Sequence, residues 1–295
     1  MKSPRRYVAG SAGILSILPL FPHRSPRDVF RMEKSGSPWT IGSLAWSRRR
    51  GGRLTALERW RFLAAMAASR LRSGRGPLAA GRLEMDALEL PDSSLVRRTL
   101  ALAEEAYAPW LLHHCLRTFL WGGLIGQAER VSFDAEALAV AALLHDLGLV
   151  QPVPHVPPAD CFAVRGARYA RDWLERGAAP APLVSSVSEA ICMHLNVRVR
   201  ASAGAVPYLL HRGAALDVIG RGGASVAPVS HRVLERYPRG DFARHLARTL
   251  RAEAGRHGGT RLALLVRRGF LLLVRSAFSG ELSREREATL SGDGT

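Results

Sequence analysis

His145 and Asp146 close the apolar run from Val140 to Leu144, and nothing about burying such a run requires it to end on two titratable side chains. Asp217 poses the same question, set between Ala214, Ala215 and Leu216 on one side and Val218 and Ile219 on the other. Two further places supply imidazoles: His113-His114 in Leu-Leu-His-His-Cys-Leu-Arg, and His194 at the end of Glu-Ala-Ile-Cys-Met-His. Burying an imidazole or a carboxylate is costly unless the group is paired or coordinates a cation. Taken singly, each is explained as a helix-end residue satisfied by backbone or by arginine; taken jointly they point to a divalent metal. Imidazole nitrogens with carboxylate oxygens suit zinc, manganese or iron, whereas an all-oxygen set would suit magnesium or calcium.

These side chains need helices to hold them. Pro91-Asp92-Ser93-Ser94 is a turn and N-cap cluster feeding a helix over 95–107, followed by one from Pro109 to about Gly122. A third starts at Asp134, with Glu136 in its first turn, and is expected to end at Gly148 in a left-handed cap. Further helices are expected over 164–176, 183–194, 205–219, 229–237 and 241–256, and no strand-like alternation of useful length intervenes. The body is therefore read as all-α. Upstream, Thr55-x-x-Glu58 is a capping box opening an amphipathic helix whose apolar face is Leu57, Trp60, Leu63, Ala64, Ala67 and Leu71. The Gly/Pro-rich stretch 73–92 reads as a linker, which divides the chain into a basic extension (1–90), a helical domain (91–257) and a C-terminal tail (258–295). Arg267 and Arg268 interrupt that tail's apolar run, so it is not a membrane span, and fused, docked and membrane-surface fates are all open. The run Ile14 to Phe21 is likewise too short to span, with no cleavage site after it, and reads as a leader or an over-extended start, Met32 being an alternative initiator.

Composition narrows the class. Of 295 residues, 47% are hydrophobic and 23% charged, with mean hydropathy -0.01, which excludes a disordered or membrane-saturated chain. Three cysteines with no CxxC pair exclude a disulfide framework and a thiolate zinc site, and fit a reducing, cytoplasmic setting. The net charge of +17 is concentrated in the first 90 residues, which hold 17 Lys/Arg against 6 Asp/Glu. Nearly all the cations are arginine, lysine occurring only at Lys2 and Lys34, a habit of GC-rich coding as readily as a nucleic-acid footprint. Nucleic acid is accordingly not the expected partner; self-association is left open.

The motifs together resemble the HD-domain superfamily of metal-dependent hydrolases, and within it the branch containing the cyanamide hydratases. An isolated His, a later His-Asp doublet and a final Asp define the superfamily, and match His114, His145, Asp146 and Asp217. The branch resemblance rests on His114-Cys115-Leu116-Arg117, Ala142 to Gly148, Phe162 to Ala167, Glu189 to His194, and Gly213-Ala214-x-x-Asp217-Val218-x-Gly220. It covers about 91–257 and implies an all-α HD-domain helical bundle. Cys115 stands where a small hydroxyl residue is usual, and His113 is as eligible a ligand as His114 on residue type alone, the resemblance favouring His114.

The resemblance further implies one divalent ion, zinc first with manganese or iron as alternatives, held by His114, His145, Asp146 and Asp217. Asp146 would also orient the nucleophile and His194 would shuttle a proton or stand behind the ligands, unless it is a plain structural histidine. His155, in the loop 151–158, is either a lid residue or a solvated one. Leu149 takes the place of the Lys that many phosphohydrolases carry after the doublet. The expected activity is addition of water to a small molecule, at a nitrile or related C–N centre, with a phosphohydrolase as the alternative and a non-catalytic binding module behind it. Paired-iron oxygenase chemistry would need more ligands than His113 and His194 offer.

Overall fold

In the computed structural model, residues 40–71, 83–150 and 161–277 are described, and all fall in one compact unit spanning 36–295. Among them are twelve α-helices and no strand: α1 Leu44–Arg50, α2 Ala56–Leu71, α3 Ser94–Ala106, α4 Pro109–Glu129, α5 Ala135–Leu144, α6 Phe162–Arg176, α7 Ala181–Met193, α8 Ala205–Ile219, α9 Ser230–Arg236, α10 Phe242–Arg256, α11 Arg261–Arg267 and α12 Phe270–Ser276. No helix among them is long and apolar enough to cross a membrane. The leader at 14–21, the first half of the expected linker (73–82) and His155 lie outside the described residues.

Two helices form the axis of the bundle. Every residue of α4 from His114 to Gly126 and of α5 from Ala137 to Leu144 is buried, which is why neither segment shows a one-sided apolar stripe. Around them α3, α7 and α8 close the larger apolar core. Glycine sets the distance between α4 and α8: a Cβ on Gly213 would overlap the carbonyl oxygen of Thr118, and one on Gly122 would press on that of Leu209. That close approach carries Asp217, one turn beyond Gly213, onto the face of α4 that presents His114 and Arg117.

A second apolar cluster lies under α10, α11 and α12, where Phe242, Leu246, Leu250, Leu262, Leu271 and Val274 pack with Phe162 of α6. The tail thus docks as far as Ala277. Arg261, fully buried, secures it: its guanidinium donates to Asn196 Oδ1 and to the Cys192 carbonyl at the end of α7, and lies 5.4 Å from the Trp46 ring on α1.

Three expectations change. Gly148 does not end a helix in the left-handed region; α5 stops at Leu144, a 3-10 turn runs over Leu147–Leu149, and Gly148 is needed because a Cβ would strike the Phe162 carbonyl. The capping box of α2 forms, Thr55 N donating to Glu58 Oε2 at 2.8 Å and Glu58 N to Thr55 Oγ1 at 3.2 Å, but the helix is rotated from the expected facing. Trp46 Nε1 donates to Glu58 at 2.8 Å and turns that edge inward, so Phe62 is buried while Leu57 and Trp60 are 57% and 67% exposed. Residues 83–90, assigned to the linker, instead pack on the bundle through Met85 and Leu88.

Candidate metal centre

The site lies where the two apolar clusters meet. His114 leaves the middle of α4 and stacks on Phe242 with ring centroids 4.9 Å apart; His145 caps α5, Asp146 follows it, and His194 caps α7 against Phe162. All four are buried.

Each histidine is fixed through Nδ1. His145 Nδ1 donates to the Ala142 carbonyl and His194 Nδ1 to the Ile191 carbonyl, both at 2.7 Å, and His114 Nδ1 donates to Asp217 Oδ2 at 2.8 Å. A carbonyl or carboxylate oxygen can only accept, so each Nδ1 carries a proton, and the Nε2 atoms are the ones through which the neutral rings can ligate. Those of His114 and His145 face each other at 3.2 Å, and both approach Asp146 Oδ2, at 3.5 and 3.4 Å. Two neutral imidazoles and a carboxylate so placed repel one another unless a proton or a metal cation lies among them. Three donors at 2.0–2.1 Å from a tetrahedral ion stand about 3.3–3.4 Å apart, so this triangle fits one. His114, His145 and Asp146 are also the group among the described residues whose donor atoms converge closely enough for an ion.

His194 sits beside this triangle, its Nε2 3.8 Å from Asp146 Oδ1 and its ring 5.1 Å from that of His145. Burial, reinforced by the neighbouring His145 and opposed by Asp146, pulls its pKa down to about 3, so at neutral pH it is an acceptor with a bare Nε2. Burial likewise lowers His145.

Asp217 is placed differently. Its carboxylate meets His114 through Nδ1, the nitrogen facing away from the triangle, and receives Arg117 Nε at 2.7 Å, Arg117 Nη2 at 2.9 Å and Trp121 Nε1 at 3.0 Å. Arg239 adds Nη1 contacts to its Oδ1 at 3.3 Å and its backbone oxygen at 2.5 Å. Burial alone would raise this carboxyl, but Arg117 and Arg239, with the hydrogen bonds from His114 and Arg117, hold it well below the usual carboxylate range. The structure therefore brings His114, His145, Asp146 and His194 together and sets Asp217 behind His114. His113 points elsewhere, with Nδ1 3.3 Å from the Pro238 carbonyl.

Four participants escape a reading of residue types. Arg117 and Trp121 follow His114 at helical spacing on one face of α4, a signal present in the sequence; Arg239 comes from a loop far along the chain and has none. His211 of α8 is buried on the same cavity wall, Nδ1 2.9 Å from the His194 carbonyl, and resembles an ordinary core position beside Leu209 and Leu210.

Residues 111–232 match the family model of the HD domain. No curated protein matches the chain. The matched segment contains His114, the His145-Asp146 doublet, His194 and Asp217, and HD domains are in general metal-dependent hydrolases.

Proposed function

We propose that this protein is a metal-dependent hydrolase that adds water to a small molecule at an electrophilic C–N centre such as an amide or nitrile carbon. The observation that carries the metal is the convergence of the Nε2 atoms of His114 and His145, 3.2 Å apart, on Asp146 Oδ2. Those three side chains would hold the ion, zinc by their chemistry, with Asp217 fixing the ring of His114 from behind. A bound divalent ion would acidify its water toward neutrality and polarise the electrophile. Asp146 Oδ1, turned toward His194, accepts a hydrogen bond that orients the nucleophile. His194 Nε2, neutral at pH 7, accepts a second one and takes a proton only in passing.

The C–N assignment draws on the resemblance to the cyanamide hydratase branch and on what stands near the doublet. Leu149 offers an apolar side chain to the cavity, and Arg117 and Arg239, the buried cations nearest the ligands, are spent on Asp217. Phosphate-ester hydrolysis is the second reading, favoured by Arg221 and Arg268 on the cavity wall. The three cysteines are free and buried, which agrees with a cytoplasmic setting.

Metal analysis by ICP-MS of protein purified without chelators, beside His145→Gln and Asp146→Asn, tests the proposal. One ion per chain, lost in both variants, is expected, together with release of ammonia from amides or hydration of cyanamide. Metal-free wild type after metal-replete expression overturns it, and turnover of phosphate monoesters in place of amides selects the second reading.

A further inference from the structure

A cavity of about 150 Å³ opens from the metal end, where His114, His145, Asp146 and His194 line it. Its walls are otherwise largely apolar. Phe162, Val218 and Ile219 contribute from the HD-domain segment, but Met66 of α2, Leu250 of α10, Leu265 of α11, and Phe270 and Leu273 of α12 come from outside residues 111–232. Two of the polar side chains on the wall are engaged by the protein itself. Asn196 accepts from Arg261 and donates to the Ile41 carbonyl, and Arg221 donates to the Val197 carbonyl and to Ser69 Oγ. Arg268 and Leu273 reach solvent and mark the outer end.

A nucleoside or sugar entering such a cavity would find few partners for its hydroxyl and base groups on walls that are largely apolar. An apolar group loses nothing, and a dry apolar cavity of about 150 Å³ takes up a molecule the size of benzene. We infer that the substrate presents an apolar body of about six carbons to these walls with its reacting group at the metal end, and that α2 and α10–α12, the helices flanking the HD-domain segment, select it. The position of the reacting group rests on the hydrolase reading above; the apolar selectivity rests on the walls.

The test is a ladder of unbranched primary alcohols, ethanol to octan-1-ol, which the hydrolase reading does not turn over, titrated calorimetrically into the full-length protein, with its metal content measured on the same sample. Affinity should rise about fourfold per added methylene as far as hexan-1-ol and then level off as the cavity fills. Leu273→Asp, at a position 47% exposed that tolerates a charge, should flatten the ladder while the melting temperature shows the protein folded. A flat ladder, or no binding along it, in protein that holds its metal overturns the apolar-body inference and leaves the hydrolase reading standing. A steep ladder in protein that holds no metal supports the inference on the walls and overturns the hydrolase reading.

Discussion

Asp217 Oδ2 stands 2.8 Å from His114 Nδ1, on the opposite edge of the ring from the Nε2 that meets His145 and Asp146. The carboxylate therefore reaches the cluster of His114, His145 and Asp146 through an imidazole, while Arg117 and Arg239 hold it in place. Asp217→Asn keeps the shape and removes the charge that compensates two buried guanidinium groups. Breaking a buried pair in this way costs about 3–5 kcal/mol, and loss of a carboxylate behind a ligating histidine weakens metal about 10–100-fold. Urea unfolding and zinc titration of the variant check both effects. Complete loss of metal with stability intact would instead make Asp217 a direct ligand.

Metal binding should appear as stability. At a free zinc concentration 100 times the dissociation constant, unfolding free energy rises by about 2.7 kcal/mol, because the unfolded chain lacks the site. Thermal melts with and without zinc should separate for wild type and coincide for His145→Gln. Equal shifts in both proteins would mean that the ion binds elsewhere.

Gly213 should be intolerant of a methyl group. An alanine Cβ there overlaps the Thr118 carbonyl and crowds Gly122, which would drive α8 off α4 and draw Asp217 away from His114. Overpacking of this kind costs about 1–3 kcal/mol. Gly255 in α10 has open space at its Cβ, and Gly255→Ala should stabilise, by about 0.5–1 kcal/mol for the gain in helix propensity. Opposite signs from the two substitutions in denaturant melts are the expected result.

The contrast between those glycines shows which parts of the molecule could be read in advance. Helix α8 runs over Ala205–Ile219 as expected because Gly204 and Gly220 punctuate it, and His145-Asp146 is conspicuous because a polar pair ends an apolar run. Periodicity does not record which side of a helix finds a partner. The stripe at Leu57 and Trp60 faces out because Trp46 and the Thr55 box hold Glu58 inward, a contact between separate elements. Nor does spacing record which nitrogen of His114 meets Asp217, or that Arg239 returns from a loop to grip the same carboxylate. Those relations exist only once α4 and α8 are packed.

His211 predicts the acid limit of the fold. Burial, aided by Arg221 and Arg212 and opposed by its hydrogen bond to the His194 carbonyl, lowers its pKa from 6.5 to about 4. The unfolded chain therefore binds the proton more readily than the folded one between those two values. The stabilising effect of a neutral His211 is complete above pH 6.5 and is lost as the pH falls toward 4, at up to about 1.4 kcal/mol per unit. His194 and His145 are lowered by burial as well and steepen the wild-type curve in the same direction, whereas the contribution of Asp217 is lost only below 3.8. His211→Asn keeps a donor for the His194 carbonyl and cannot titrate. Its unfolding free energy, followed by urea denaturation from pH 7 to pH 4.5, should decline more gently than that of wild type, and parallel curves would show that His211 is protonated alike in both states.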